Sequence, residues 1–207
     1  FLDINSACPV RKVIKKQAGA ALLQAPDQLA SVIETLGLHL NVPITVKLRS
    51  GFTKIDIPSL TRLVQTCEAH GAAALFVHGR TRNQGYSGQV HYEPIRAIKQ
   101  AVSIPVFGSG DIFSPQLAQK MFTETGCDGV LVARGAFGNP WIFRDVETYL
   151  HTGEVLPLPA LEEKKAVLRR HLAYIYQYKN SGSAGKVGFM RKVTLWYLKG
   201  FPNASTV

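Results

Sequence analysis

Short β-rich runs at residues 2–5, 44–49, 74–80, 105–111 and 129–135 punctuate the first two-thirds of the chain. Between them, apolar residues recur at helical spacing, as at Leu60, Leu63, Val64 and Cys67 before His70-Gly71, or at Leu117, Met121 and Phe122 before Gly126. The alternation predicts a βα repeat. The runs read as apolar on both faces, as parallel strands covered by helices tend to be. Pro43 and Pro105 mark the entry to two of them.

An α/β chain of this kind is either a doubly wound sheet or a (β/α)8 TIM barrel, and the polar residues favour the barrel. Asn5, Lys47 and Arg49, His78 and Arg80, Ser109 and Asp111, and Arg134 all fall at the carboxyl ends of their runs. A barrel gathers those ends around one mouth, where the active sites of such folds lie, with a phosphate site commonly made by the last two loops. Gly108-Ser-Gly-Asp111 and Ala133-Arg-Gly-Ala136 have that character. Their glycines let backbone N–H groups approach a phosphate, and Arg134 can pair with one bidentately.

Past Tyr149 the pattern changes. Residues 151–159 read as a linker and 160–207 as a small all-helical domain, with helices predicted over 161–178 and, after Ser181-Gly-Ser-Ala-Gly185, over 189–198. Cations (Lys164, Lys165, Arg169, Arg170, Lys186, Arg191, Lys192) interleave here with Tyr174, Tyr176, Tyr178, Trp196 and Tyr197. The rings are assigned mainly to packing and the cations to a partner.

Charge sharpens that assignment. The 207 residues carry a net charge of +10, and residues 151–207 hold 9 Lys and Arg against 3 Asp and Glu. A polyphosphate partner follows, and nucleic acid suits it better than a membrane, because no amphipathic stretch presents a bulky lipid-facing side. No run approaches 18 consecutive apolar residues, and Phe-Leu-Asp-Ile-Asn at the start lacks the regions of a signal peptide, so the expectation is a cytoplasmic protein. The three cysteines have no C-x-x-C spacing, which argues against a disulfide framework or a metal site. Cys67 and Cys127 lie in apolar settings and read as core.

Cys8 is different. It stands in Asp3-Ile-Asn-Ser-Ala-Cys-Pro-Val-Arg-Lys-Val13, where Leu2 and Ile4 alternate with polar neighbours and Pro9 fixes the backbone after the thiol. That places Cys8 on a loop at a strand's carboxyl end. Arg11, Lys12, Lys15 and Lys16 bring positive charge to the neighbourhood, which makes Cys8 the candidate chemical centre.

This stretch and the motifs after it resemble the tRNA-dihydrouridine synthases, in particular the bacterial B-type branch. The similarity runs through Val46-Lys-Leu-Arg-Ser-Gly51, Val77-His-Gly-Arg-Thr-Arg82 with Gln84-Gly-Tyr-Ser-Gly88, Gly108-Ser-Gly-Asp-Ile112 and Ala133-Arg-Gly-Ala-Phe-Gly-Asn-Pro-Trp141, in order. Arg191-Lys192 with Trp196-Tyr-Leu198 is similar to the family's helical tRNA-binding domain. The resemblance implies FMN as cofactor, NADPH as reductant and a uridine of the tRNA D-loop as substrate, with hydride passed to C6 and Cys8 protonating C5. It implies that Lys47 and His78 contact the flavin, that Ser109, Gly110, Asp111, Ala133 and Arg134 hold its phosphate, and that Asn5, Arg49 and Arg80 face the uridine or its phosphates. Lys186, Arg191 and Lys192 would meet tRNA. Ser109 departs from the asparagine common at its position.

A whole barrel needs eight strands and roughly 250 residues. Only about the last five βα units are expected here, in a partial catalytic domain over 1–150, followed by an incomplete helical domain. The expectation is a monomer when complete, and a poor independent folder without flavin or activity as 1–207 alone. Two rival readings share these motifs: an FMN-dependent barrel oxidoreductase acting on a small pyrimidine, and a truncated, non-catalytic RNA-binding remnant.

Overall fold

In the computed structural model, residues 1–200 are described. They form two compact units: Phe1–Ile112 with Leu117–Val132, and Phe113–Gln116 with the chain from Ala133 onward.

The first unit is built on a five-stranded parallel sheet of β1 (Leu2–Ser6), β2 (Ile44–Arg49), β3 (Ala72–His78), β4 (Val106–Ser109) and β5 (Gly129–Leu131). The strands lie side by side in chain order. Among these five strands the order shows no reversal point of the kind that marks a doubly wound sheet. After β1 come the short helix α1 (Arg11–Ile14), a 3-10 segment (Gly19–Gln24) and α2 (Pro26–His39). Helices α3 (Ile57–Ala69), α4 (Glu93–Ala101) and α5 (Pro115–Thr125) follow β2, β3 and β4. Prolines in the first turn of α2, α3 and α4 preset φ where no N–H partner is needed, and Asp56 caps α3 by accepting from Ser59 N.

Because side chains alternate across a strand, the register sorts them into two faces. Ile44, Val46, Leu48, Leu75, Val77 and Val106 are buried, and together with Leu29 and Ile33 of α2, Leu63 and Val64 of α3, Ile95 and Ile98 of α4, and Met121 of α5 they supply the core. The other face is mixed, unlike the apolar reading of the runs. Asn5, Lys47, Phe76 and Phe107 stand level across four strands. Arg49, His78 and Ser109 form the next row toward the carboxyl ends. Phe76 and Phe107 pack with their rings tilted and their centres 4.9 Å apart on this face.

Three strands end earlier than the sequence pattern predicts. At β3, Gly79 and Arg80 leave the ladder, and Arg80 N turns back to His78 O. Beyond β4, Gly110 (φ 138°) and Asp111 (φ 49°) leave the extended region. After β5 the chain passes into a 3-10 turn, Arg134–Ala136, so Arg134 belongs to the turn and not to a strand.

The second unit contains that turn, α6 (Ile142–Thr152), α7 (Leu161–Tyr178) and α8 (Ser183–Leu198). Helix α7 has the predicted bounds. Helix α8 starts at Ser183 and not at 189, taking Gly185 and Gly188 into its interior. Each glycine costs roughly 1 kcal/mol there, which the packing of Val193 and Tyr197 against Ile175, Leu168, Leu172 and Trp196 offsets. Trp196 and Tyr197 pack as expected, but Tyr174, Tyr176 and Tyr178 are exposed.

Leu75 is fully buried and Leu158 is exposed. Leu75→Ala is therefore expected to lower the unfolding free energy by about 2–5 kcal/mol, whereas Leu158→Ala stays within about 0.5 kcal/mol of the parent. Urea unfolding of both variants checks the core assignment, and equal losses would contradict it.

Candidate active site at the strand ends

The peptide after β1 is held in a specific shape. Asn5 Oδ1 accepts from Ala7 N at 3.1 Å, closing an Asx turn that lifts the chain out of the strand. Cys8 follows, half-buried, and its carbonyl accepts from Ala20 N at 3.1 Å. The thiol thus sits on the predicted loop. Arg11, Lys12, Lys15 and Lys16 are exposed to solvent.

Lys47 is half-buried, and burial, reinforced by the Arg49 charge and opposed by Asp3, holds its amine below the ordinary lysine range. His78 is buried, and its imidazole is pushed down to about 4, first by burial and then by Arg49, Lys47 and Arg80. It is therefore neutral near pH 7. Its Nδ1 lies 3.5 Å from Ser109 Oγ, the outer limit of a hydrogen bond, while its Nε2 is buried with no hydrogen-bond partner among the described residues. A buried ring nitrogen left in that state costs free energy, so it reads as a group awaiting a ligand.

The two arginines expected to face a uridine turn inward. Arg49, 3% exposed, donates from Nε to Ala7 O at 2.7 Å and from one terminal nitrogen to Thr81 O and Gly85 O. Arg80, 2% exposed, makes a bidentate ion pair with Asp111 and also donates to Ser87 O and Gly88 O. Asp111, expected at a phosphate, has a carboxylate engaged by Arg80. That pair also anchors the left-handed backbone at Asp111, a conformation uncommon outside glycine. Gly110 is tight for a different reason: a Cβ there would lie 2.8 Å from the Val90 side chain.

The structure brings Asn5, Cys8, Lys47, Arg49, His78, Arg80, Ser109, Gly110 and Asp111 together within the first unit, at the carboxyl ends of β1 to β4. It adds Tyr86, which composition and periodicity had not marked out. Tyr86 is 60% exposed, with its ring edge-on to His78 at 6.3 Å and the Arg49 guanidinium 5.7 Å from its centre. The one clue in the sequence was an aromatic between two turn glycines, in Gln84-Gly-Tyr-Ser-Gly88.

The remaining candidates belong to the second unit. Ala133 precedes the 3-10 turn, and the Arg134 guanidinium lies 5.6 Å from the centre of the Phe113 ring. On α8, Lys186 donates to Tyr176 O at 2.8 Å, Arg191 and Lys192 are exposed, and Arg191 borders a cavity of about 260 Å³ with Val187, Met190, Thr194 and Leu195. Among the described residues, no cluster of three or more His, Cys, Asp or Glu is placed to hold a metal, and no helix is long and apolar enough to cross a membrane.

The sequence model of the family described as Dihydrouridine synthase (Dus) matches residues 1–207. The chain is 43% identical over 204 residues to a tRNA-dihydrouridine synthase B of Pseudomonas aeruginosa, covering 99% of this chain and 60% of that protein. It is 38% identical over 199 residues to one from Proteus vulgaris, covering 96% of this chain and 61% of the relative. The chain thus spans about three-fifths of the length of the curated relatives it matches. Among solved structures, the YdjI aldolase from Escherichia coli K12 aligns over 77% of this chain and 56% of its own at 15% identity, with a TM-score of 0.39, too low to argue from.

The buried histidine makes acid stability testable. An unfolded histidine binds a proton near 6.5 and folded His78 only near 4, so between those values the unfolded state binds more protons. His78 therefore contributes stability that is complete above about pH 6.5 and is lost as pH falls toward 4. The urea midpoint should drop across that window, and His78→Gln should flatten the drop. An unchanged slope in the variant would show that His78 is not the titrating group.

Proposed function

The chain belongs to the dihydrouridine synthase family, and from that premise we propose that it reduces the C5–C6 double bond of a uridine in the tRNA D-loop, with NADPH as reductant and FMN as cofactor. The carrying observation is the convergence at one end of a parallel sheet of a half-buried cysteine, a half-buried lysine and a neutral histidine whose buried Nε2 has no partner among the described residues. These residues fit a flavin: Nε2 of His78 and the Lys47 amine can meet the polar edge of the ring, and the turn at Ser109, Gly110 and Asp111 can hold its phosphate tail. The sequential parallel strand order supports a (β/α)8 barrel as the fold of the catalytic domain.

FMN held there would supply the hydride chemistry needed at C6. What the chain itself adds is a proton and an electrostatic frame. Hydride addition leaves a negative, enolate-like charge on the pyrimidine, delocalised between C5 and the C4 oxygen. The Cys8 thiol donates its proton to C5 and is restored from water, so the double bond gains one hydride and one proton. Lys47 and Arg49 hold positive charge at the strand ends while the negative charge persists. Asn5, Arg49 and Arg80 border the uridine, the arginines by fixing residues 81–88 around it. We assign residues 1–150 to catalysis in a cytoplasmic enzyme, with 151–159 as linker and 160–207 as the tRNA-binding helical part, through Lys186, Arg191 and Lys192.

In the full-length protein, Cys8→Ala should keep flavin binding and flavin reduction by NADPH while slowing dihydrouridine formation by about 10²–10⁴-fold. Undiminished product would remove Cys8 from the reaction. Replacing both Arg191 and Lys192 by alanine should weaken tRNA binding across substrates and reduce the slope of log K against log salt by about 2. An unchanged affinity and slope would take these residues out of the interface.

A further inference from the structure

Arg49 joins loops that follow two different strands. Its Nε bonds Ala7 O after β1, and its terminal nitrogen bonds Thr81 O and Gly85 O after β3, beside Tyr86. Ala7 is directly bonded to Cys8, so this contact fixes the peptide unit from which the thiol-bearing residue hangs. Two further restraints act on the same stretch: Asn5 Oδ1 accepts from Ala7 N, and Ala20 N donates to Cys8 O. Gly19 permits the second approach. Its φ is +61°, and a Cβ there would lie 2.9 Å from both Cys8 Cβ and Cys8 O.

We propose that Arg49 is the positioning residue of Cys8, tying the Cys8 loop to the Tyr86 loop so that the proton donor and the aromatic wall move as one piece. The proposal rests on the reading of Cys8 as proton donor. All three of the acceptors that Arg49 uses are backbone carbonyls in separate peptide units, and only a planar fork with several fixed donors reaches them together. Lysine keeps the charge but places it at a single point. The role is therefore geometric before it is electrostatic, and that difference can be measured.

Arg49→Lys and Gly19→Ala, each made in the full-length protein with and without Cys8→Ala, provide the test. Arg49→Lys is expected to lower kcat for dihydrouridine formation at least tenfold, with KM for tRNA changed by less than threefold. In the Cys8→Ala background the same change should cost several-fold less, because the part of its effect that runs through Cys8 is gone and only its hold on residues 81–88 remains. Iodoacetamide reports the loop without any turnover: Cys67 and Cys127 are buried, and the alkylation phase that disappears in Cys8→Ala is the one that belongs to Cys8. That phase should accelerate at least threefold in Arg49→Lys and likewise in Gly19→Ala, which disturbs the same peptide by a separate route. Additive losses of kcat, with alkylation unchanged in both variants, would overturn the proposal and make Arg49 a direct substrate contact. If Cys8→Ala alone forms product at the parental rate, the proton-donor reading fails, and alkylation still decides whether Arg49 holds the loop. Should Arg49→Lys not fold, the kcat and alkylation comparisons on Gly19→Ala decide whether restraint of this peptide governs Cys8, and parental values there overturn the proposal.

Discussion

The parallel register is the constraint on which the rest of the molecule depends. Side chains alternate across a strand with a period of two, so a slip of one residue would exchange the two faces of any strand in the sheet. The observed pairing sets Asn5 beside Lys47 and Lys47 beside Phe76, then Arg49 beside His78 and His78 beside Ser109. A shift of β2 alone would send Lys47 and Arg49 among the helices and turn Val46 and Leu48 toward the polar row. The cost of burying those two cations without partners is what pins the strand. The apolar core and the chemical site are opposite faces of one ladder.

The electrostatics of the polar face follow from that placement. Around His78, the charges of Arg49, Lys47 and Arg80 all act against protonation and Asp111 acts for it. Burial is nevertheless the larger influence on His78, on Lys47 and on Arg49. Arg80 is paired with the Asp111 carboxylate, whereas Arg49 is bonded only to uncharged carbonyls and keeps its net charge. A buried cation held as Arg49 is keeps the strand ends positive, which suits a site where negative charge resides on a phosphate or develops on a ring.

The second unit works by different physics. Its small core of Ile175, Val193 and Tyr197 depends on α8 packing along α7, and the cations lie outside that core. Several of them rest against rings, Lys192 at 5.5 Å from Trp196 and Lys186 at 5.2 Å from Tyr176. A cation so placed retains its charge for a polyanion while its methylene stem covers apolar surface. Three exposed tyrosines on α7 enlarge that surface beyond what packing alone requires.

Local pattern was enough to determine the βα repeat, the helix over 161–178, the burial of Cys67 and Cys127 and the loop position of Cys8, because periodicity and Gly/Pro punctuation belong to short stretches of chain. The ordered motifs were likewise legible as a family. What escaped was long-range. The partners of Arg49 lie 42, 32 and 36 residues away in the chain, and Asp111 lies 31 from Arg80. No spacing rule announces such contacts, and in sequence a lone arginine at a strand end looks like a ligand-facing group. The early exits of β3 and β4 escaped for a related reason: Arg80 pairing with Asp111 draws both residues out of the ladder, a competition between backbone and side-chain bonds that only the assembled loops resolve. The chain's own pattern thus determined which residues reach the strand ends. The tertiary structure decided which of them stay open to a ligand and which are spent holding the loops, because the partners of a buried guanidinium are chosen by where distant loops come to rest.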